Sequence, residues 1–443
     1  MSRGRKPSVV YWGNQPAPYV VARLNAVAER GNITIEAWFD RVREADRRWD
    51  VTPSDWFFPA RFITRTASST LHRQIPLAEL QTVRPDVLVA TFDRAHTALG
   101  LVASKALAGR TAIRCLPAFD SWSADPPPMP AWLAPLRGRT ARTLTKRFLF
   151  HMVDGAKVPG PAGSGYAERF GLPRPRSWPV TQGIDLDLYR RAALMTGAER
   201  AAVRDALGLR GCVFAYIGRL WSGKGLDHLF DAFAKVRRIH HDASLLVIGD
   251  GDDEHRLRRK AEDRPGIIFA GHVQPRDLPR WQALADVLVF PTLGDPHGLV
   301  VEEAMAAGLP VISSDCAGDI RRRIVEGVTG FVVPAGSSDP LARRMLTLAG
   351  DPALRARMSN AAARSVGLCG VEQYAIDFER FVDEIMAAPP RANLAARLAQ
   401  IGGRGLLLTA RRPPAPRLEP AGRGSSARTG AAVPGAFEVS LAR

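Results

Sequence analysis

The chain has little cysteine. Its four residues, Cys115, Cys212, Cys316 and Cys369, are far apart and form no Cys-x-x-Cys pair. That argues against a disulfide framework and a structural zinc site, and suits a reducing cytosol. No stretch approaches the roughly 18 consecutive apolar residues of a membrane-spanning helix. The start, MSRGRKPSVVYW, is basic but runs straight into a strand-like segment without the apolar core of a secretory leader, so export is not expected. Aromatic residues are few, at 7%, and do not interleave with a basic stripe, so nucleic acid is not expected as a partner. The first strand, VVYWGNQPAP, carries no Gly-x-Gly, which weakens a dinucleotide-binding reading.

What is present is a globular composition, 46% apolar and 24% charged, in a chain of 443 residues, long enough for two full domains. The net charge is +17, which points to phosphorylated or otherwise polyanionic partners. Nine arginines and two acids fall between Pro389 and Arg443, so about +7 of that excess sits in a Pro-, Gly- and Arg-rich tail. The tail composition predicts a disordered, solvated extension.

Before the tail, strand and helix patterns alternate. Strands are expected at 8–12, 33–39, 86–91 and 111–116, with helices near 19–30 and 97–107 between them. After a charged helical stretch up to about Arg210 the alternation restarts, with strands at 212–217, 244–248, 267–270, 285–291 and 309–313. Short apolar strands separated by helices predict α/β domains with parallel sheets covered on both faces. Two such series imply two doubly wound Rossmann-like domains, 1–185 and 186–370, binding ligands at strand C-terminal ends in the cleft between them.

Three segments of the second half carry the chemistry. In YIGRLWSGKGLDHL, glycines release the backbone after a strand, and Arg219 and Lys224 project before a helix, which suits a phosphate. In LLVIGDGDDEHRL the third glycine of a dinucleotide fingerprint is missing. Asp250, Asp252 and Asp253 read there as a polar turn capping the next helix. In PTLGDPHGLVVEEAMAAGLPVISSD, Asp295 stands on a Gly-rich turn and Glu303 in the first helical turn, with Gly298 between them. Glu302 reads as support for the helix dipole. Alone, each segment has a plain structural account; together they are more specific.

Together these segments resemble the retaining glycosyltransferases of GT-B fold in the large family 4, the glycosyl transferases group 1. The stretches GRLWSGKG, LLVIGDGDDEHRL, IIFAGHV, DPHGLVVEEAMAAGLPVISSDCAGDI and VEGVTGFVVPAGSSDPLARRM carry the resemblance, strong from about Gly211 to Gly367. NQPAPYVVARLNAVAE and VTQGIDLDLY carry it more weakly. The resemblance implies a nucleotide-diphosphate-sugar donor, a glycan or lipid-linked acceptor, no cofactor and no metal. Arg219, Lys224, Asp295 and Glu303 are the implied catalytic residues, Glu303 taking the ribose hydroxyls. Gly13, Gly218, Gly251, His272, Val273, His297, Gly298, Leu299 and Val300 are the implied donor contacts. The helix over 371–388 would cross back onto the first domain.

Two positions depart from the family pattern: Asp295 where Glu is usual and His297 where Phe is usual. Those departures keep a degenerate sugar-nucleotide-binding protein as the alternative, beside a GT-B epimerase. Asp185 and Asp187 read as structural rather than metal-binding. His96 and Asp120 are weaker candidates for acceptor contacts, with helix-capping or surface roles beside them. RGRTARTLTKRFLFHM places Arg139, Arg142 and Lys146 on one helical face and Ala141, Leu144 and Phe148 on another. Either the helix packs its apolar stripe into the first domain or it docks on an anionic membrane surface. The expected location is cytoplasmic, with the inner face of the membrane as its peripheral site.

Overall fold

The computed structural model describes residues 5–42, 49–50, 52–63, 75–91, 95–114, 139–410 and 413–420. Asp120 and Cys115 lie outside them, as do the side chains of Arg139, Ala141 and Arg142. The described residues divide into two compact units: 5–42 and 52–183 with 371–420, and 49–50 with 184–370. Among the described residues no helix is long and apolar enough to cross a membrane.

Among the described residues unit 1 carries seven strands: β1 Ser8–Gly13, β2 Thr34–Phe39, β3 Ala60–Phe62, β4 Val87–Ala90, β5 Arg110–Arg114, β6 Gly155–Val158 and β7 Ser177–Pro179. They pair in parallel in the order β3-β2-β1-β4-β5-β6-β7. Alternation decides the faces. Val10, Trp12, Ile113, Ala156 and Val158 enter one core beneath the helices Leu77–Val83, Ala95–Ser104 and Arg139–Met152. The other face lies under the helices Pro18–Arg30 and Val371–Ala387, joined by Arg30 to Glu379 at 3.0 Å and to Glu372 at 2.7 Å.

The tail expectation is corrected. Residues Leu394–Leu407 form a helix whose Ala399 and Leu407 enter the unit 1 core. Beyond it, Leu418 pairs antiparallel with Ala60 on the edge strand β3, N–H to carbonyl in both directions at 3.0 and 2.8 Å. The physical reason lies in two carboxylates of the folded part. Glu36, buried on β2, accepts from Trp38 Nε1 (2.7 Å), Arg61 Nε (2.6 Å) and Arg417 Nε (3.1 Å). Buried Glu79 accepts from the amide of Ala415 at 2.8 Å. Buried carboxylates require donors, and Pro- and Arg-rich chain supplies them without forming a core of its own.

The expected face of the helix Arg139–Met152 is also revised. Lys146 is buried, with Nζ 5.7 Å from the ring centre of Tyr166 and 5.5 Å from that of Phe170, while Leu144 is 59% exposed. The packed stripe is Leu149, Phe150, Met152 and Val153, with Phe148 at its margin.

Unit 2 carries β8 Val213–Ile217, β9 Ser244–Ile248, β10 Ile267–Gly271, β11 Val287–Phe290, β12 Val311–Ser314 and β13 Gly330–Val333. All are parallel, in the order β10-β9-β8-β11-β12-β13, with one apolar core on each face. The chain winds outward from β8 and returns at β11. The switch point therefore lies between the C-terminal ends of β8 and β11, where open α/β sheets place their ligands.

Candidate functional site

Two loops meet at that switch point. After β8, Gly218 hydrogen-bonds Ile248 and the chain passes through Arg219 to a single 3-10 turn, Ser222–Lys224, closed by Gly225. Gly225 has φ 71°, and a Cβ there would stand 2.1 Å from the carbonyl oxygen of Pro291. Only glycine lets the lysine loop press onto the chain leaving β11.

That approach delivers Lys224 Nζ to Asp295 Oδ2 at 2.5 Å, with both side chains about one-seventh exposed (14% and 13%). The lysine also lies 5.6 Å from the ring centre of Phe290. Asp295 is pinned from both sides: its amide donates to Cys316 O (3.1 Å) and its Oδ1 accepts from His297 N (3.0 Å). Beneath them Tyr216 is buried and donates to Arg219 O at 2.7 Å, and burial first, then the Asp295 charge, pushes its phenol well above the ordinary range.

Arg219 Nη2 lies 3.9 Å from Asp252 Oδ2. The Gly251 turn is held against the same loop, Leu220 N donating to Asp250 O at 2.8 Å. His272 and Val273 follow β10, with His272 Nδ1 3.5 Å from Asp250 Oδ1 and Val273 packed on the core. The sheet thus brings Gly218, Arg219, Lys224, Gly251, His272, Val273 and Asp295 to one edge.

The turn Gly298-Leu299 leads into the helix Val300–Ala306. Glu302 is not a solvated dipole partner but the buried centre of a cluster. Arg323 Nη1 donates to both its oxygens at 2.8 and 2.9 Å, and His297 Nε2 lies 3.1 Å away. Burial alone would raise its pKa; Arg323 and His297 outweigh it and lower the carboxyl to about 2. The His297 side chain is therefore committed to the helix, and only its backbone is open to the donor role expected for it. Arg323 also holds the carbonyls of His297, Gly298 (3.3 Å) and Ala317 (3.3 Å), fixing the turn that carries Asp295. Sequence reasoning missed Arg323 because nothing in GDIRRRIVEG marks which arginine turns inward.

Glu303, half-buried, lies beside the buried hydroxyl of Tyr189. Burial, then the Glu303 charge, pushes that phenol well above its usual range, so it stays a donor. Asp185 caps its own helix through Leu188 N (2.9 Å) and Asp187 lies 3.8 Å from Arg190, so the pair is structural.

Gly13 ends β1 in unit 1 and is not part of this edge. His96 is buried there, with Nε2 2.9 Å from Asp40 Oδ2, while Trp12 donates to Oδ1 at 2.9 Å. It is a buried histidine paired with Asp40, not a surface cap.

Two parallel-sheet Rossmann-like units with these loops are the GT-B fold. A structure of HepE from Anabaena with UDP and glucose matches 85% of this chain and 99% of its own, with a TM-score of 0.66 at 16% identity. Residues 211–351 match the family model of the glycosyl transferases group 1. The chain is 32% identical over 190 residues to the phosphatidyl-myo-inositol mannosyltransferase of Mycobacterium leprae, covering 42% of this chain and 48% of that one. It is 33% identical over 192 residues to a GDP-mannose-dependent monoacylated α-(1-6)-phosphatidylinositol monomannoside mannosyltransferase of Corynebacterium glutamicum, covering 41% and 49%. The chain thus spans about half the length of these relatives.

Proposed function

We propose that the chain is a retaining, metal-independent glycosyltransferase. It would move a sugar from a nucleotide-diphosphate sugar to a hydroxyl of a glycan or lipid-linked acceptor. The observation that carries the reading is the Lys224–Asp295 pair at the β8–β11 switch point, flanked by Arg219 and by Glu303 on the following helix. A departing diphosphate needs positive charge held close to it, and Lys224 and Arg219 supply it. When the diphosphate takes Lys224, Asp295 is released to accept a hydroxyl of the transferred sugar. Glu303, oriented by Tyr189, accepts the ribose hydroxyls. The bond from the anomeric carbon to the diphosphate breaks as the acceptor oxygen bonds on the same face. The acceptor proton goes to the leaving-group oxygen, so no protein nucleophile is needed.

The relatives named for phosphatidylinositol acceptors support a lipid-linked acceptor. A second observation favours an anionic membrane as partner. The helix Leu394–Leu407 and its end expose Leu394 (72%), Leu398 (52%), Ile401 (68%) and Leu408 (88%), beside exposed Arg397 and Arg404, and no acid occurs between Arg391 and Arg417. Such a face suits an interfacial helix. A thermal-shift screen over UDP-, GDP-, dTDP- and ADP-sugars, followed by donor-turnover assays, tests the reading. A donor that binds but is never hydrolysed or transferred would favour the degenerate binding protein.

A further inference from the structure

A second concentration of charge lies in unit 1. On the sheet face beneath the helices Pro18–Arg30 and Val371–Ala387, Tyr11 of β1, Arg114 of β5 and Lys157 of β6 stand opposite the residues that enter the other core. Arg114 and Lys157 are register partners on neighbouring strands, and Arg114 Nη1 donates to the Tyr11 hydroxyl at 2.9 Å. From above, the Arg23 guanidinium lies 4.9 Å from the ring centre of Tyr19 and 5.5 Å from that of Tyr374; Lys157 Nζ lies 4.7 Å from the Tyr374 ring. Arg23 and Lys157 are each only 2% exposed.

Among the described residues these cations are not matched by anions. Arg23 gives Nε to the carbonyl of Gly183 at 2.9 Å, but among the described residues its enclosed Nη2 has no partner, nor has the enclosed Nε of Arg114. The nearby carboxylate, Asp377, is already engaged. Its Oδ2 accepts from Thr181 N (3.0 Å) and Oγ1 (2.6 Å), and its Oδ1 from Gln373 (3.0 Å) and Arg380 (3.1 Å). Burial, then Arg114 and Arg23, push the Lys157 amine well below its usual range, while Asp377 acts weakly against them. Aromatic faces attract cations, but they do not supply an acceptor for an enclosed N–H. Arginines cannot shed their charge, so burial of this kind calls for an anion.

We propose that Arg23, Arg114 and Lys157, with the Tyr11 hydroxyl, form a binding site for a phosphate group. A tetrahedral dianion offers oxygens to donors arriving from the sheet and from the roof helix at once. It also matches the charge of this cluster better than a planar carboxylate does. Arg114 is the partly exposed member and marks the side of entry. A soluble phosphate ester and a phospholipid headgroup present the same oxygens, and the test below tells them apart.

The test uses the full chain without any sugar nucleotide, so it is independent of the transfer chemistry assigned to unit 2. Melting temperature is followed against inorganic phosphate, glycerol 3-phosphate and monomeric dihexanoyl phosphatidate, each matched in ionic strength by chloride. The expected result is a saturable rise of several degrees with at least one of the three. Lys157→Met and Arg114→Gln should each abolish that rise. In phosphate-free buffer Lys157→Met should melt at or above the wild type, because it removes an unmatched buried cation, and this variant guards against simple misfolding. A rise confined to the phosphatidate assigns the headgroup source; a rise with the two soluble compounds assigns the ester. No rise with any of the three, or an equal rise in wild type and both variants, overturns the site.

Discussion

Lys224 donates to Asp295 at 2.5 Å across the loops that end β8 and β11, so each group is the other's counter-charge. A ligand that competes for one of them necessarily changes the other. Lys224→Ala should depress turnover about a hundredfold, roughly 3 kcal/mol, while weakening donor binding less, because the charge it faces grows as the diphosphate departs. Asp295→Glu should be tolerated better than Asp295→Asn. Initial rates against donor concentration, with circular dichroism as a folding control, decide this; wild-type rates in both Lys224→Ala and Asp295→Asn would reduce the stretch to a helix start.

In the proposed mechanism Glu303 and Tyr189 act on donor binding. Ribose contacts do not change between ground and transition states, so Glu303→Gln should raise the donor KM and spare kcat. Tyr189→Phe removes the hydroxyl beside Glu303 and should do the same more mildly, about fivefold, on the order of 1 kcal/mol. A fall in kcat without a change in KM for Tyr189→Phe would contradict its positioning role.

Glu302 makes a prediction about acid. Its carboxyl is lowered to about 2, so its stabilisation is complete above the unfolded-state value near 4.5 and is lost as pH falls through that interval towards 2. The size is on the order of 3 kcal/mol. Denaturant unfolding of Glu302→Gln should therefore show a deficit that is constant from pH 7 to about 5 and shrinks below it. A deficit unchanged at pH 3 would mean that the carboxylate is not the stabilising species.

Metal independence is open to direct measurement. If Lys224 and Arg219 face the diphosphate as proposed, EDTA should leave the transfer rate unchanged. A rate that collapses with chelator and returns with manganese would defeat the mechanism.

Cutting the chain after Ala388 should destabilise unit 1, because it removes the helix Leu394–Leu407 and the donors to Glu36 and Glu79. Each unmatched buried carboxylate costs roughly 1–3 kcal/mol. A cut after Pro420 keeps all these contacts. Equal melting temperatures for the two truncations would show that the tail contacts carry no stability.

The parallel sheets were legible because fully buried strands such as VFAYI and SLLVI read as unbroken apolar runs between helical periods. The Lys224 and Asp295 loops were legible because glycine and charge punctuate them. What escaped was set by partners distant in sequence. Glu36 in the middle of a strand signals a buried carboxylate, but only folding reveals that Arg417 answers it, 381 residues on. Arg323, Tyr189 and the Arg23–Arg114–Lys157 cluster escaped for the same reason: side-chain direction within a charged or aromatic run is decided by packing, not by composition.

The antiparallel pairing of Leu418 with Ala60 has a colloidal consequence. β3 is the outermost strand of its sheet, and an uncovered edge of that kind recruits strands from other molecules. By lying along it, a segment poor in β-formers and rich in proline ends the ladder with a partner that cannot itself be extended far. Preparations that lose this segment to proteolysis should therefore self-associate before they lose secondary structure, and storage at high concentration should favour the uncut chain.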